Sequence, residues 1–158
     1  MSYRNKIYIC FGGDEDMHYY RTLQMWNANK SIDFQFGNAH DLTNIRILEE
    51  PNIKRNLRER LKNSKTMLVI VGEKTKYLYK YVRWEMELAL ELDIPIIVAN
   101  LNGKNKMDDK LCPPILKGKT VVHVPFNLKA VMYALEYWEN YYPQAKTKQE
   151  HDLYWNHL

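Results

Sequence analysis

Two short apolar runs with a helix between them constrain the fold of this chain more than any other feature. Residues 66–72 (TMLVIVG) and 94–100 (IPIIVAN) are nearly continuous in branched and long apolar side chains, the pattern of strands buried on both faces. Residues 80–92 between them (KYVRWEMELALEL) carry their apolar positions at helical spacing. Buried strand, helix, buried strand is the unit of a parallel sheet with helices packed on both sides.

The same alternation runs along the rest of the chain. Residues 6–11 (KIYICF) read as the first strand and 15–27 as the first helix, opened by acidic residues that suit its dipole. Residues 33–36 form a short second strand, 37–50 a polar connection, and Pro51 starts a second helix running to about Asn63. Residues 101–119 are rich in Gly, Lys, Asn and Pro and read as a surface excursion with a helical turn around Met107 to Leu111. A fifth strand is expected at 120–124. A last helix follows at 127–142, with Leu128, Val131, Met132, Leu135 and Trp138 as its core face. The polar remainder ends in Tyr154, Trp155 and Leu158 and could dock on the body or on a neighbour.

The expected fold is therefore α/β, a flavodoxin-like three-layer domain with a five-stranded parallel sheet in the order 2-1-3-4-5. In that order a ligand site forms at the carboxyl ends of the strands, beside the switch point between strands one and three. The loop after the first strand, the 37–50 connection and the start of the third helix should converge there.

A chain of 158 residues suits one domain, here 1–142 with a C-terminal tail at 143–158, and no second module is expected. No apolar run approaches bilayer length, and the N-terminus enters a strand without a signal-peptide pattern. Cys10 and Cys112 have neither disulfide-framework nor metal-ligand spacing, which points to a reducing cytoplasm. The net charge of +4 is spread along the chain except at 54–65, where charges alternate around Ile53, Leu57 and Leu61 as on the wet side of a helix. A nucleic-acid or membrane partner is not expected.

Within the third helix one residue is misplaced. Arg83, Glu87 and Glu91 form a narrow polar stripe, while Glu85 falls in the middle of the opposite, apolar arc, between Tyr81, Ala89 and Leu92. A carboxylate there is paired, protonated or put to use, because desolvating it costs too much otherwise. The structural alternative is a buried glutamate bonded to a neighbouring loop or lysine.

Other motifs fall away. Residues 12–16 (GGDED) lack the Gly-Lys-Ser/Thr of a P-loop, and their place at the end of the first strand does not match a diguanylate cyclase hairpin. They leave a glycine turn where backbone could approach a ligand. A phosphate-accepting receiver needs aspartate after the third strand and lysine after the fifth, where Gly72 and Pro125 stand. The five histidines show no ligand spacing, and no metal is expected.

With Glu85 placed, KIYICF, TMLVIVGEKT and YVRWEMELALELDIPIIVANLNG together resemble a TIR domain, most closely the bacterial TIR-like, ThsB-type proteins of the Thoeris antiphage system. The resemblance spans roughly residues 5–142. It implies that Glu85, in the segment similar to the family's W-V-R-Y-E, is the catalytic glutamate of NAD⁺ glycosidic cleavage. Tyr81 stands where the family usually has Trp, four residues earlier, and keeps an aromatic ring for stacking. The substrate-binding residues expected around it are Phe11, Gly12, Asp14, Asn38, His40 and Tyr81.

NAD⁺ would be the substrate and no separate cofactor is implied. The resemblance further implies a cyclic ADP-ribose-type product, a separate effector reached through that diffusible nucleotide, a phage-derived trigger, and a homo-oligomer on activation. Two alternatives stay open. One is a nucleoside deoxyribosyltransferase with a glutamate nucleophile. The other is a non-catalytic scaffold that signals by self-association.

Overall fold

The computed structural model describes residues 7–11, 17–30, 34–35, 50–73, 75 and 81–158. In chain order the elements are β1 (Ile7–Cys10), α1 (Met17–Lys30), β2 (Phe34–Gln35), α2 (Glu50–Lys62), β3 (Thr66–Val71), α3 (Tyr81–Glu91), β4 (Ile96–Asn100), β5 (Val122–Pro125), α4 (Leu128–Thr147) and β6 (Leu153–Tyr154). All pair in parallel in the order β2-β1-β3-β4-β5-β6, so the expected 2-1-3-4-5 arrangement is present with one more strand at its edge.

Strand alternation sorts the core into two layers. Tyr8, Cys10, Met67, Val69, Val71, Ile96 and Val98 face α2 and α3, meeting Ile53, Leu57, Leu61, Val82, Met86 and Ala89. Ile7, Ile9, Phe11, Leu68, Ile70, Ile97 and Ala99 face α1 and α4, meeting Leu23, Val131, Leu135 and Trp138. Each of these fully buried apolar side chains contributes roughly 1.5–3 kcal/mol of transfer free energy, so the sheet is held from both sides. No helix among the described residues is long and apolar enough to cross a membrane.

Two expectations need correcting. The last helix does not stop at Tyr142 but continues through Pro143 to Thr147. Proline removes one backbone donor, yet Ala145 is fully buried beyond it and Lys146 pairs with Asp93, so tertiary contacts carry the helix on. The segment after it is not a loose tail: Leu153 N–H donates to the Val121 carbonyl at 2.9 Å and the chain adds β6 to the free edge of β5. In the 101–119 excursion the helical turn expected around Met107 to Leu111 is present as one α-turn, Cys112 N–H to the Asp108 carbonyl at 2.9 Å. A 3₁₀ turn follows at Pro114–Leu116. Asp108 organises the excursion: burial pushes its pKa up, but the Lys104 ammonium at 3.1 Å and bonds from Asn102 and the Leu111 and Lys110 amides outweigh it and hold the value down to about 2.

Gly72 follows β3 where a receiver domain needs an aspartate; a Cβ there would sit 2.9 Å from Leu101 Cδ1, so a larger residue requires that side chain to shift.

Candidate active site

Helix α3 is amphipathic in the sense its sequence predicts. Arg83 Nε and Glu87 Oε1 pair at 2.8 Å on the wet side, and Val82, Met86 and Ala89 enter the core. Glu85 goes with the buried set: it is 1% exposed, and among the described residues neither carboxyl oxygen has a hydrogen-bond partner. The carboxyl is thus enclosed rather than presented at an open cavity among the described residues.

Its surroundings come from β1. Tyr8 and Cys10, two positions apart on that strand, share the face that packs against α3. The Cys10 thiol donates to the Val82 carbonyl at 3.9 Å, one helical turn before Glu85. Burial pushes the Glu85 pKa up to about 8, against a downward pull from Cys10, Tyr8 and, at longer range, Arg60 on α2. Burial also raises the Tyr8 and Cys10 pKa values, with Glu85 adding to both. Below about pH 8 the carboxyl of this conformation is neutral; ionised, it is a charge in a low-dielectric layer, where it acts strongly on any cation nearby.

Of the other candidates, Phe11 and the Tyr81 backbone fall within the described residues. Phe11 is buried at the end of β1 but joins the core on the α1 and α4 side of the sheet, not the side that holds Glu85. Tyr81 is the first residue of α3, so its backbone stands one turn before Glu85, while its side chain lies outside the described residues. Gly12, Asp14, Asn38 and His40 also lie outside them. Tyr8 and Cys10 escape a motif search. The signal for them is the alternation of KIYICF, which sets a phenol and a thiol opposite the isoleucines.

A separate cleft of about 400 Å³ lies on the outer side of α4, lined by Tyr133, Tyr137, Asn140, Tyr141, Gln144 and Trp155. It contains no charged side chain and is not adjacent to the Glu85 layer, so it offers nothing for heterolytic chemistry.

Residues 8–106 match the family model described as Thoeris protein ThsB, TIR-like domain. The matched stretch begins within β1, includes Tyr8, Cys10 and Glu85, and ends beyond β4. No curated protein matches the chain.

Proposed function

The chain belongs to the Thoeris ThsB TIR-like family, and from that premise we propose that it cleaves the bond between nicotinamide and ribose in NAD⁺, with Glu85 as the catalytic carboxylate. The observation that carries this reading is an acidic side chain, buried in the helix that follows the central strand β3, whose oxygens meet no cation or loop amide at hydrogen-bond distance among the described residues. A structural glutamate of that kind would be expected to hold a lysine, an arginine or a loop amide.

The chemistry asks little else of the protein. As the C1′–N bond breaks, its electron pair goes to the pyridinium nitrogen, and nicotinamide leaves neutral without an acid to protonate it. Positive charge develops on the ribosyl carbon, and an ionised Glu85 stabilises it electrostatically or by accepting from the ribose hydroxyls. Water then attacks and loses a proton, giving ADP-ribose, or an atom of the same nucleotide attacks and gives a cyclic product. We favour the cyclic ADP-ribose-type product, released as a messenger to a separate effector when infection triggers assembly.

The enclosure of Glu85 favours a second reading, a scaffold that associates without turnover. Product analysis separates the two. Wild type and Glu85→Gln are incubated at high protein concentration with NAD⁺, with and without lysate of infected cells, and products are resolved by chromatography and mass spectrometry. Nicotinamide with a cyclic or hydrolysed ADP-ribose, lost in Glu85→Gln, is the expected result. Equal silence from both proteins under every condition overturns the enzyme in favour of the scaffold, and turnover of deoxynucleosides instead of NAD⁺ would assign a deoxyribosyltransferase.

A further inference from the structure

The α3 side of β1 holds more polar capacity than a packing layer needs. The Tyr8 hydroxyl, like both oxygens of Glu85, is buried without a hydrogen-bond partner among the described residues. A phenol left unpaired in such a layer costs roughly 1–3 kcal/mol, which a phenylalanine of the same shape would avoid. The remaining neighbours on this side, Met67, Val69 and Val71 of β3 and Val82, Met86 and Ala89 of α3, are apolar. Cys10 completes the polar group, and its weak bond to Val82 ties it to the turn of α3 that leads into Glu85.

We propose that Tyr8 is a positioning residue for Glu85: its hydroxyl, with the Cys10 thiol beside it on β1, forms a donor floor that orients the carboxylate and supports its charge. The proposal rests on the reading of Glu85 as the carboxylate of NAD⁺ cleavage. An ionised carboxylate has about four lone-pair sites. The Tyr8 hydroxyl takes one of them and the Cys10 thiol a second, once its single proton turns from the Val82 carbonyl to the ionised carboxylate; the sites facing away from the strand are left for ribose hydroxyls. A hydrogen bond from a neutral phenol to an ionised carboxylate is roughly twice as strong as one between neutral partners, so the floor tightens when the proton leaves. The groups that act on Glu85 from the packed elements are Tyr8 and Cys10 on β1 and Arg60 on α2. Tyr8 and Cys10 both favour its charged form, as this geometry requires.

The test reads the carboxyl directly. In the full chain, the Glu85 side-chain carbon is titrated by ¹³C NMR, assigned through Glu85→Gln, in wild type, Tyr8→Phe, Cys10→Ala and Cys10→Ser. Tyr8→Phe should move the midpoint upward by about one pH unit, a tenfold loss of acidity. Cys10→Ala should move it less, and Cys10→Ser should restore it. An unchanged midpoint in a folded Tyr8→Phe protein overturns the proposal; if that variant does not fold, an unchanged midpoint in Cys10→Ala does so. Nicotinamide release is followed across pH in the same proteins. If its midpoint moves with that of the carboxyl, both readings stand. A displaced carboxyl titration with no NAD⁺ turnover in any protein keeps the donor floor and removes the NAD⁺ reading.

Discussion

Asp152 Oδ1 lies 3.6 Å from Nε2 of His123, an imidazole fully buried in β5. Asp152 reaches that position with a left-handed backbone, φ 48°, and both of its carboxylate oxygens accept from the Gly118 amide at 3.1 Å. One side chain therefore ties the last strand to the loop before β5 and faces the only titratable group in that strand.

Burial holds the His123 pKa below its ordinary value of 6.5, with Asp152 opposing. The folded imidazole is neutral at pH values where the unfolded one takes a proton. The stability this represents is present above pH 6.5 and erodes as pH falls from there through the folded value. Denaturant midpoints of wild type and His123→Gln, measured between pH 7 and 5, should converge toward the acid end. Asp152→Ala should lower the midpoint at pH 7 by the equivalent of about 1–2 kcal/mol, from the lost charge-assisted bonds to Gly118.

Glu85 gives the opposite slope. Its folded pKa of about 8 exceeds the ordinary value of 4.5, so the protein gains stability by holding that proton. The gain is complete below about pH 4.5 and vanishes as pH rises through about 8. At about 1.4 kcal/mol per pKa unit it amounts to several kcal/mol over the window. Glu85→Gln should flatten this part of the profile and unfold at a higher denaturant concentration than wild type at pH 8.

Ending the chain after Lys148 removes β6 and strips the β5 edge of its parallel partner. It also removes Trp155, which stands edge-on to Tyr133 with ring centroids 5.0 Å apart. An uncovered edge strand pairs with other chains. Sedimentation should show the shortened protein associating at concentrations where the full chain does not.

Asn127 caps α4, its Oδ1 accepting from the Ala130 amide at 2.8 Å. Asn127→Ala should cost about 1 kcal/mol, read as a lower unfolding temperature, whereas Asn127→Asp should hold close to wild type.

The alternation of strands and helices along the chain carried the order of the first five strands, and periodicity carried the sorting of α3 into wet and buried faces and the burial of Glu85, which follow from side-chain spacing along one element. It failed where contacts from elsewhere decide the outcome. Leu153 and Tyr154 become a strand only because β5 offers an open edge, and α4 outlasts Pro143 because Ala145 and Lys146 find partners. At the site, Glu85 could be picked out by its place on a helical wheel. Tyr8 and Cys10 could not be assigned to it, since which helix covers a given strand face is a property of the assembled sheet. Phe11, expected near the substrate, belongs by strand parity to the opposite layer.

The place of β1 in the sheet also bears on how the molecule assembles in time. β3, α3 and β4 are contiguous in sequence and pair locally, while β1 must arrive from much earlier in the chain, past α1, β2 and α2, to pair with β3. Contacts between neighbouring segments form at a lower entropic cost than distant ones. Glu85 is then carried into a folding nucleus still wet on one side, and loses its water only when β1 docks with Tyr8 and Cys10. The penalty for its charge falls on that late step, so alkaline pH should speed unfolding far more than it slows folding.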